Sequence, residues 1–221
     1  MIHFSRKSID HLDRIYRMNL ITCCSGFKSA NLIGTQNEDG TLNLAVFSSV
    51  THLGSDPPLL GFVLRPTTVP RHTYENIKRT ESYTINHVTI EFADRAHHTS
   101  AKYGAGVSEF NITGLQPQFR GDFVAPYVVE APVQIGMRFV EEHRILANDT
   151  ILVVGEIQDL YIEDQMLAPD GFLDLSEKNT VAISGLDGYL VPGGLQRFGY
   201  QRPKSLDFND TPLNTIHSDQ N

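Results

Sequence analysis

Two long stretches, Val133 to Ile145 and Thr150 to Ile162, alternate apolar and polar side chains over much of their length. A period of two predicts strands with one solvated face, and the polar gap at Ala147-Asn148-Asp149 joins them as a hairpin. The same reasoning predicts strands over residues 30–36, Leu42 to Phe47 and 82–88, with a shorter one at Tyr127 to Glu130. Glu38-Asp39-Gly40 forms the turn of the first hairpin, where Gly supplies a positive φ. Leu59 to Leu64 is continuously apolar and reads as a buried strand, entered through a Ser-Asp-Pro-Pro turn that blocks helix. Helical spacing appears at residues 8–20, where Ile9, Leu12, Ile15 and Tyr16 share a face and Ser8 is a possible cap. A second helix runs from Pro70 to about Arg79 with Thr68 as candidate cap, and a third from Ile90 to Tyr103. Residues 104–121 read as a glycine-containing loop, 163–200 as mixed structure, and 204–221 as a polar tail.

Six or seven strands arranged as hairpins, with two or three short helices between them, predict a mainly β protein built as a small barrel plus helices. A parallel βαβ architecture fits less well, because the strands come in hairpins. No GxGxxG follows the first strand and no GxxxxGK[ST] occurs, so dinucleotide-fold and P-loop readings lack their anchor.

Composition narrows the function. The chain has 221 residues and a formal charge of −8, which argues against a general nucleic-acid surface. No apolar run approaches the roughly 18 residues of a membrane span, and the charged N-terminus does not read as a secretory signal, so a cytoplasmic protein is expected. Cys23 and Cys24 are adjacent and read as reduced thiols. The scattered histidines offer no chelating i, i+4 pair, and no metal site is expected. No nucleophile–base pair or close carboxylate pair stands out.

One segment concentrates chemistry. After the strand ending at Leu64 come Arg65, Thr67, Thr68, Arg71 and Thr73, at the mouth of the predicted second helix. Guanidinium groups, hydroxyls and free backbone N–H groups converge there, as a phosphate requires. A cation in a helix's first turn opposes the macrodipole, which a bound anion would relieve. The bland alternative leaves both arginines solvated. Ser48 and Ser49, at the end of the preceding hairpin, are candidate ligands for a flat polar ring or ordinary strand-end serines. Asn76 either joins the site or pins a neighbouring loop. His52 and His72 lie near it in sequence, and Arg197 and Tyr200 either reach it or belong to a C-terminal strap.

Asp39-Gly40, Asn43, Ala45, Ser48-Ser49, Asp56-Pro57-Pro58, Arg65-Pro66, Arg71, Thr73 and Asn76-Ile77 follow in order, with Ser108-Glu109-Phe110 and Thr113-Gly114-Leu115 later. Over residues 25–165 this resembles the flavin reductase-like proteins with an FMN-binding split barrel, which include flavoredoxins. The resemblance implies an antiparallel, Greek-key split β-barrel at 25–203, preceded by a helical extension (1–24) and followed by the tail. It also implies one FMN per subunit, bound near a homodimer interface, and electron transfer involving NAD(P)H. The open edges expected of a split barrel favour the dimer too. Carried over by position, Phe47, Ser48, Ser49, Val50 and Thr51 would line the isoalloxazine ring. Arg65, Thr67, Thr68, Arg71, Thr73 and Lys102 would surround the phosphate. The chain departs from the pattern between Thr51 and Asp56, where four residues stand in place of one, and residues 163–200 do not align. The resulting expectation is an NAD(P)H-dependent flavin reductase with a small-molecule or protein acceptor. The alternatives are an FMN electron carrier without NAD(P)H turnover, or a non-enzymatic flavin-binding module.

Overall fold

The computed structural model describes residues 1–104 and 106–199. Two helices, α1 (Arg6–Asp10) and α2 (Arg14–Cys24), precede twelve strands. These are β1 (Lys28–Ser29), β2 (Asn31–Gln36), β3 (Leu42–Phe47), β4 (Thr51–Ser55), β5 (Pro58–Leu64), β6 (Ser82–His87), β7 (Pro117–Gln118), β8 (Tyr127–Val128), β9 (Val133–Ile145), β10 (Thr150–Ile162), β11 (Ala182–Ser184) and β12 (Gly188–Leu190). Between them lie α3 (His72–Thr80), α4 (Ala93–His98) and α5 (Glu109–Thr113).

Seven strands form one antiparallel sheet in the order β3-β2-β6-β9-β10-β5-β4. Its two edge strands, β3 and β4, are separated in sequence only by Ser48, Ser49 and Val50. Laid flat, six inter-strand steps would hold the edges about 29 Å apart, at about 4.8 Å each. The link from Phe47 to Thr51 spans at most about 14 Å. The sheet must therefore curl until its edges meet at one end, and the result is a split β-barrel. Ser49 Oγ fastens the closure, accepting from the N–H of Val63 and donating to its carbonyl at 3.1 Å each.

Alternation along the strands sorts two cores. Ile33, Ile85, Ile135 and Val153 point into the barrel with Phe62, Tyr83 and Met137. Leu32 and Leu44 face outward beneath Phe92, Ala96 and Phe110, which α4 and α5 and their flanks supply. The long hairpin follows its predicted bounds, and Asp149 takes the left-handed conformation (φ 57°) at its turn.

Several expectations are corrected. Residues 8–20 are two helices rather than one, because Asp13 caps a fresh helix by accepting from the N–H groups of Ile15 and Tyr16; Ser5, not Ser8, caps α1. α3 starts at His72, with Arg71 at the cap, because Thr67 and Thr68 form a turn of their own. The 90–103 helix ends at His98 and opens with a 3-10 turn. The predicted loop 104–121 contains α5, a helix held by burial of Phe110. Residues 51–55, for which no strand was predicted and whose last member was placed in the turn, are strand β4 paired with β5. β5 is not wholly buried, since Val63 faces outward. β8 is shorter than its predicted four residues. The polar tail expected at 204–221 lies outside the described residues. Among the described residues, no helix is long and apolar enough to cross a membrane.

Candidate functional site

The link Ser48–Val50 and the loop Arg65–Arg71 lie side by side, because Ser49 is bonded to Val63, two residues before Arg65. Two segments distant in sequence thus form one rim at the barrel's closed corner.

Side chains along the link divide by face. Phe47 turns inward, its ring 5.0 Å from that of Phe62, and Val50 packs on the same core. Ser49 commits its hydroxyl proton to Val63, so its side chain closes the barrel rather than meeting a ring. Phe47 and Val50 thus pack partly on the barrel core, and the Ser49 hydroxyl is engaged by Val63. Ser48 is partly accessible and Thr51 is exposed on β4.

The loop is built differently. Arg65, Thr67 and Thr68 are exposed beyond the end of β5. Arg71 is half-buried and folds back, its Nε donating to the carbonyl of Pro66 at 3.2 Å, which holds the loop closed. Its backbone N–H donates to Glu75 Oε1 at 3.1 Å. No side chain caps α3, so the N–H groups of its first turn point at the loop without a capping partner. Such an end favours an anion.

Beneath α3 a buried amide–hydroxyl network fixes where that end points. Asn43 Nδ2 donates to Thr35 Oγ1 (3.2 Å) and Thr73 Oγ1 (3.1 Å). Asn76 Nδ2 donates to Thr35 Oγ1 (3.0 Å) and Asn37 Oδ1 (2.7 Å). Thr73 is buried in this network and acts on the helix. Asn76 pins the β2–β3 hairpin, the second of its two readings.

Lys102 is exposed after α4, and among the described residues no hydrogen bond or ion pair joins it to the loop. His52 bonds Ser55 on β4 at 3.2 Å. Arg197 pairs with Asp170 (2.5 Å) and covers the ring of Phe172 at 4.2 Å, which makes it part of a strap; Tyr200 lies outside the described residues.

Two groups escaped the sequence. Glu109, on α5, is buried and its Oε2 accepts from the N–H of Leu44 at 3.0 Å. Burial pushes its carboxyl up, while that hydrogen bond and nearby His72 oppose the shift. The Ser-Glu-Phe segment was visible, but only the tertiary fold brings it to β3 and the start of α3. The second is a cavity of about 330 Å³ beyond Pro66, Thr67 and Thr68, walled by Tyr74, Glu142, Arg144 and Asp149. Tyr74 donates to both Glu142 oxygens at 3.0 Å, and Lys78 stands 3.3 Å from that carboxylate. Burial first, then Glu142, holds the Tyr74 phenol above its ordinary range. A larger cavity of about 380 Å³ shares none of these residues, and its four glutamates against Arg95 and Lys178 make it hostile to a phosphate.

The comparisons with known proteins bear on the split barrel. The flavin reductase like domain matches residues 25–176, and the chain belongs to that family. A crystal structure from Shewanella frigidimarina NCIMB 400, assigned as a flavin reductase with a split barrel domain, is 47% identical with a TM-score of 0.88, covering 91% of this chain and all of that one. Nitrilotriacetate monooxygenase component B from Bacillus cereus superposes with a TM-score of 0.79 at 14% identity, covering 90% of this chain and 98% of that one. Flavoredoxin of Desulfovibrio vulgaris (Miyazaki F) gives 0.68 at 24%, covering 79% and 92%. The latter two speak for the fold alone.

Proposed function

We propose that this protein is an NAD(P)H-dependent flavin reductase that holds FMN along the rim formed by Ser48–Thr51 and Arg65–Arg71. The observation that carries the reading is the uncapped start of α3, fixed by four buried hydroxyl and amide side chains and flanked by Arg65 and Arg71. These residues fit the group: a phosphate dianion on a protein at −8 needs local cations and N–H donors, and this loop supplies both. Thr67 and Thr68 add hydroxyl donors, and the Ser48–Val50 link beside the loop would lie along a flat ring.

FMN, when bound, supplies a ring that accepts hydride from the nicotinamide. The protein's part is to orient and shield. The amide network keeps the α3 end aimed, and Arg71 holds the loop shut through Pro66. Ser49 fixes the link at a set distance from the loop. No acid or base is required of the chain. A homodimer completes the reading, since a split barrel presents strand edges that a second copy can cover.

The absorption spectrum of the protein as purified, followed by anaerobic NADH or NADPH, tests this. A flavin spectrum that bleaches with reduced nicotinamide is expected. A spectrum that bleaches only with dithionite transfers the assignment to an electron carrier, and failure to bind flavin at micromolar concentration ends it. Arg65→Ala and Arg71→Ala should each weaken FMN about 10-fold or more, from the roughly 1.5–3 kcal/mol of a charged hydrogen bond, and leave riboflavin nearly unchanged. Equal weakening of both ligands would move the phosphate elsewhere.

A further inference from the structure

The N-terminal helices are thinly supported by the rest of the chain, with Ile9, Leu12, Leu20 and Thr22 only partly covered. Neither α1 nor α2 buries a single residue, and neither packs substantially on any other described element. α2 meets the rest of the chain near its C-terminal end, where Cys23 Sγ lies against Gly185. Lys28 reinforces that end by donating to the carbonyl of Thr22 at 2.9 Å and to Ser25 Oγ at 2.8 Å. Yet α2 carries an apolar stripe. Ile15, Met18 and Ile21 fall within a third of the helix circumference and are 64%, 40% and 49% exposed, and Phe27 just beyond is 69% exposed. At eleven residues, α2 is shorter than the roughly 12–15 that hold as an isolated helix in water. Its stripe needs a cover.

We propose that this arm docks on a second copy of the chain, laying the stripe of α2 across the partner's barrel. Charge selects that occupant. Residues 1–28 hold five Arg and Lys against two Asp, a net of +3, so the remainder of a chain at −8 stands at −11. The body is thus the electrostatic complement of its own arm, and it exposes Leu53, Val63 and Val140. Reach is sufficient. α2 alone is about 16 Å long, and with α1 the arm extends on the order of 25 Å from its root at β1. Exchange between two identical chains satisfies both arms at once, as a two-fold interface requires. The inference rests on the homodimer of the proposed function and adds what holds it together.

Sedimentation of the full chain across a concentration series, with hydrogen exchange read at residues 14–24, tests the proposal. The expected result is a dimer at micromolar concentration in which α2 is protected, with protection lost on dilution to monomer. Ile15→Asp combined with Ile21→Asp should raise the dimer dissociation constant at least tenfold and leave the unfolding of the monomeric barrel unchanged. Arg14→Glu, which leaves the stripe intact, should weaken the dimer less and blunt its salt dependence. A dimer with an unaltered dissociation constant in the double variant overturns the arm and spares the homodimer. A chain that is monomeric at tens of micromolar overturns both, and protection of α2 in the monomer would mean that its own chain covers it.

Discussion

α3 and α2 are helices of similar length with opposite supports. The nine residues of α3 bury Thr73, Asn76 and Ile77, and two asparagines stitch it to the β2–β3 hairpin. The eleven residues of α2 bury none. A helix that presents backbone donors to an anion has to be held rigidly by its own chain, because its direction is its function. A helix whose role is to reach outward has to be free of that chain. Sequence periodicity signals both equally, and only what lies underneath separates them.

Removing what lies beneath α3 should give the largest effect. Ile77→Ala empties part of the barrel core and is expected to cost about 2–5 kcal/mol in denaturant unfolding. No comparable loss should follow Ile21→Ala in α2 when the monomer is measured; an equal loss would erase the contrast. Acid comes next. His87 lies in the barrel wall with Nδ1 buried and unpartnered, and burial pushes its imidazole down to about 4. The unfolded chain therefore binds the proton first, and the barrel loses stability as pH falls from about 6.5 towards 4, by about 3 kcal/mol in all. His87→Gln should flatten that slope in unfolding curves taken across the window. Asn76→Ala follows at about 1–3 kcal/mol, because it removes the hydrogen bonds that tie α3 to Thr35 and Asn37, and it should also weaken FMN relative to riboflavin. The smallest effect belongs to the arm. The N–H groups of Tyr16 and Ile15 hold the Asp13 carboxyl below its ordinary 3.8, so the α2 cap is lost only as pH falls below that value. Hydrogen exchange of α2 should report this after the barrel has already weakened, and the reverse order would contradict the separation of the two regions.

The barrel was largely legible in the sequence and the details of the rim were not, for physical reasons. β9 and β10 are long and alternate, so their bounds came out of pattern alone. β4 was missed because Gly54 and two prolines crowd one short segment, and its pairing with β5 supplies what its composition lacks. α5 has too few residues to show a period, and burial of Phe110 decides it. The sequence marked the rim as a stretch of chain but did not show that Phe47 packs on Phe62 or that Ser49 bonds Val63. Which way a residue faces depends on register, and Asn31 opposite Phe47 is what turns that ring inward. Glu109 was the hardest to foresee, because its partner is a backbone amide 65 positions away.

Glu109 has one more consequence. The outer margin of β3 is a row of main-chain donors and acceptors that a foreign strand could join, seeding runaway polymerisation of a stable enzyme. A carboxylate seated on the Leu44 amide blocks that template at its middle, and the irregularity between His52 and Gly54 bends the opposite margin out of line. Both margins of the sheet are thus interrupted where a foreign strand would have to pair.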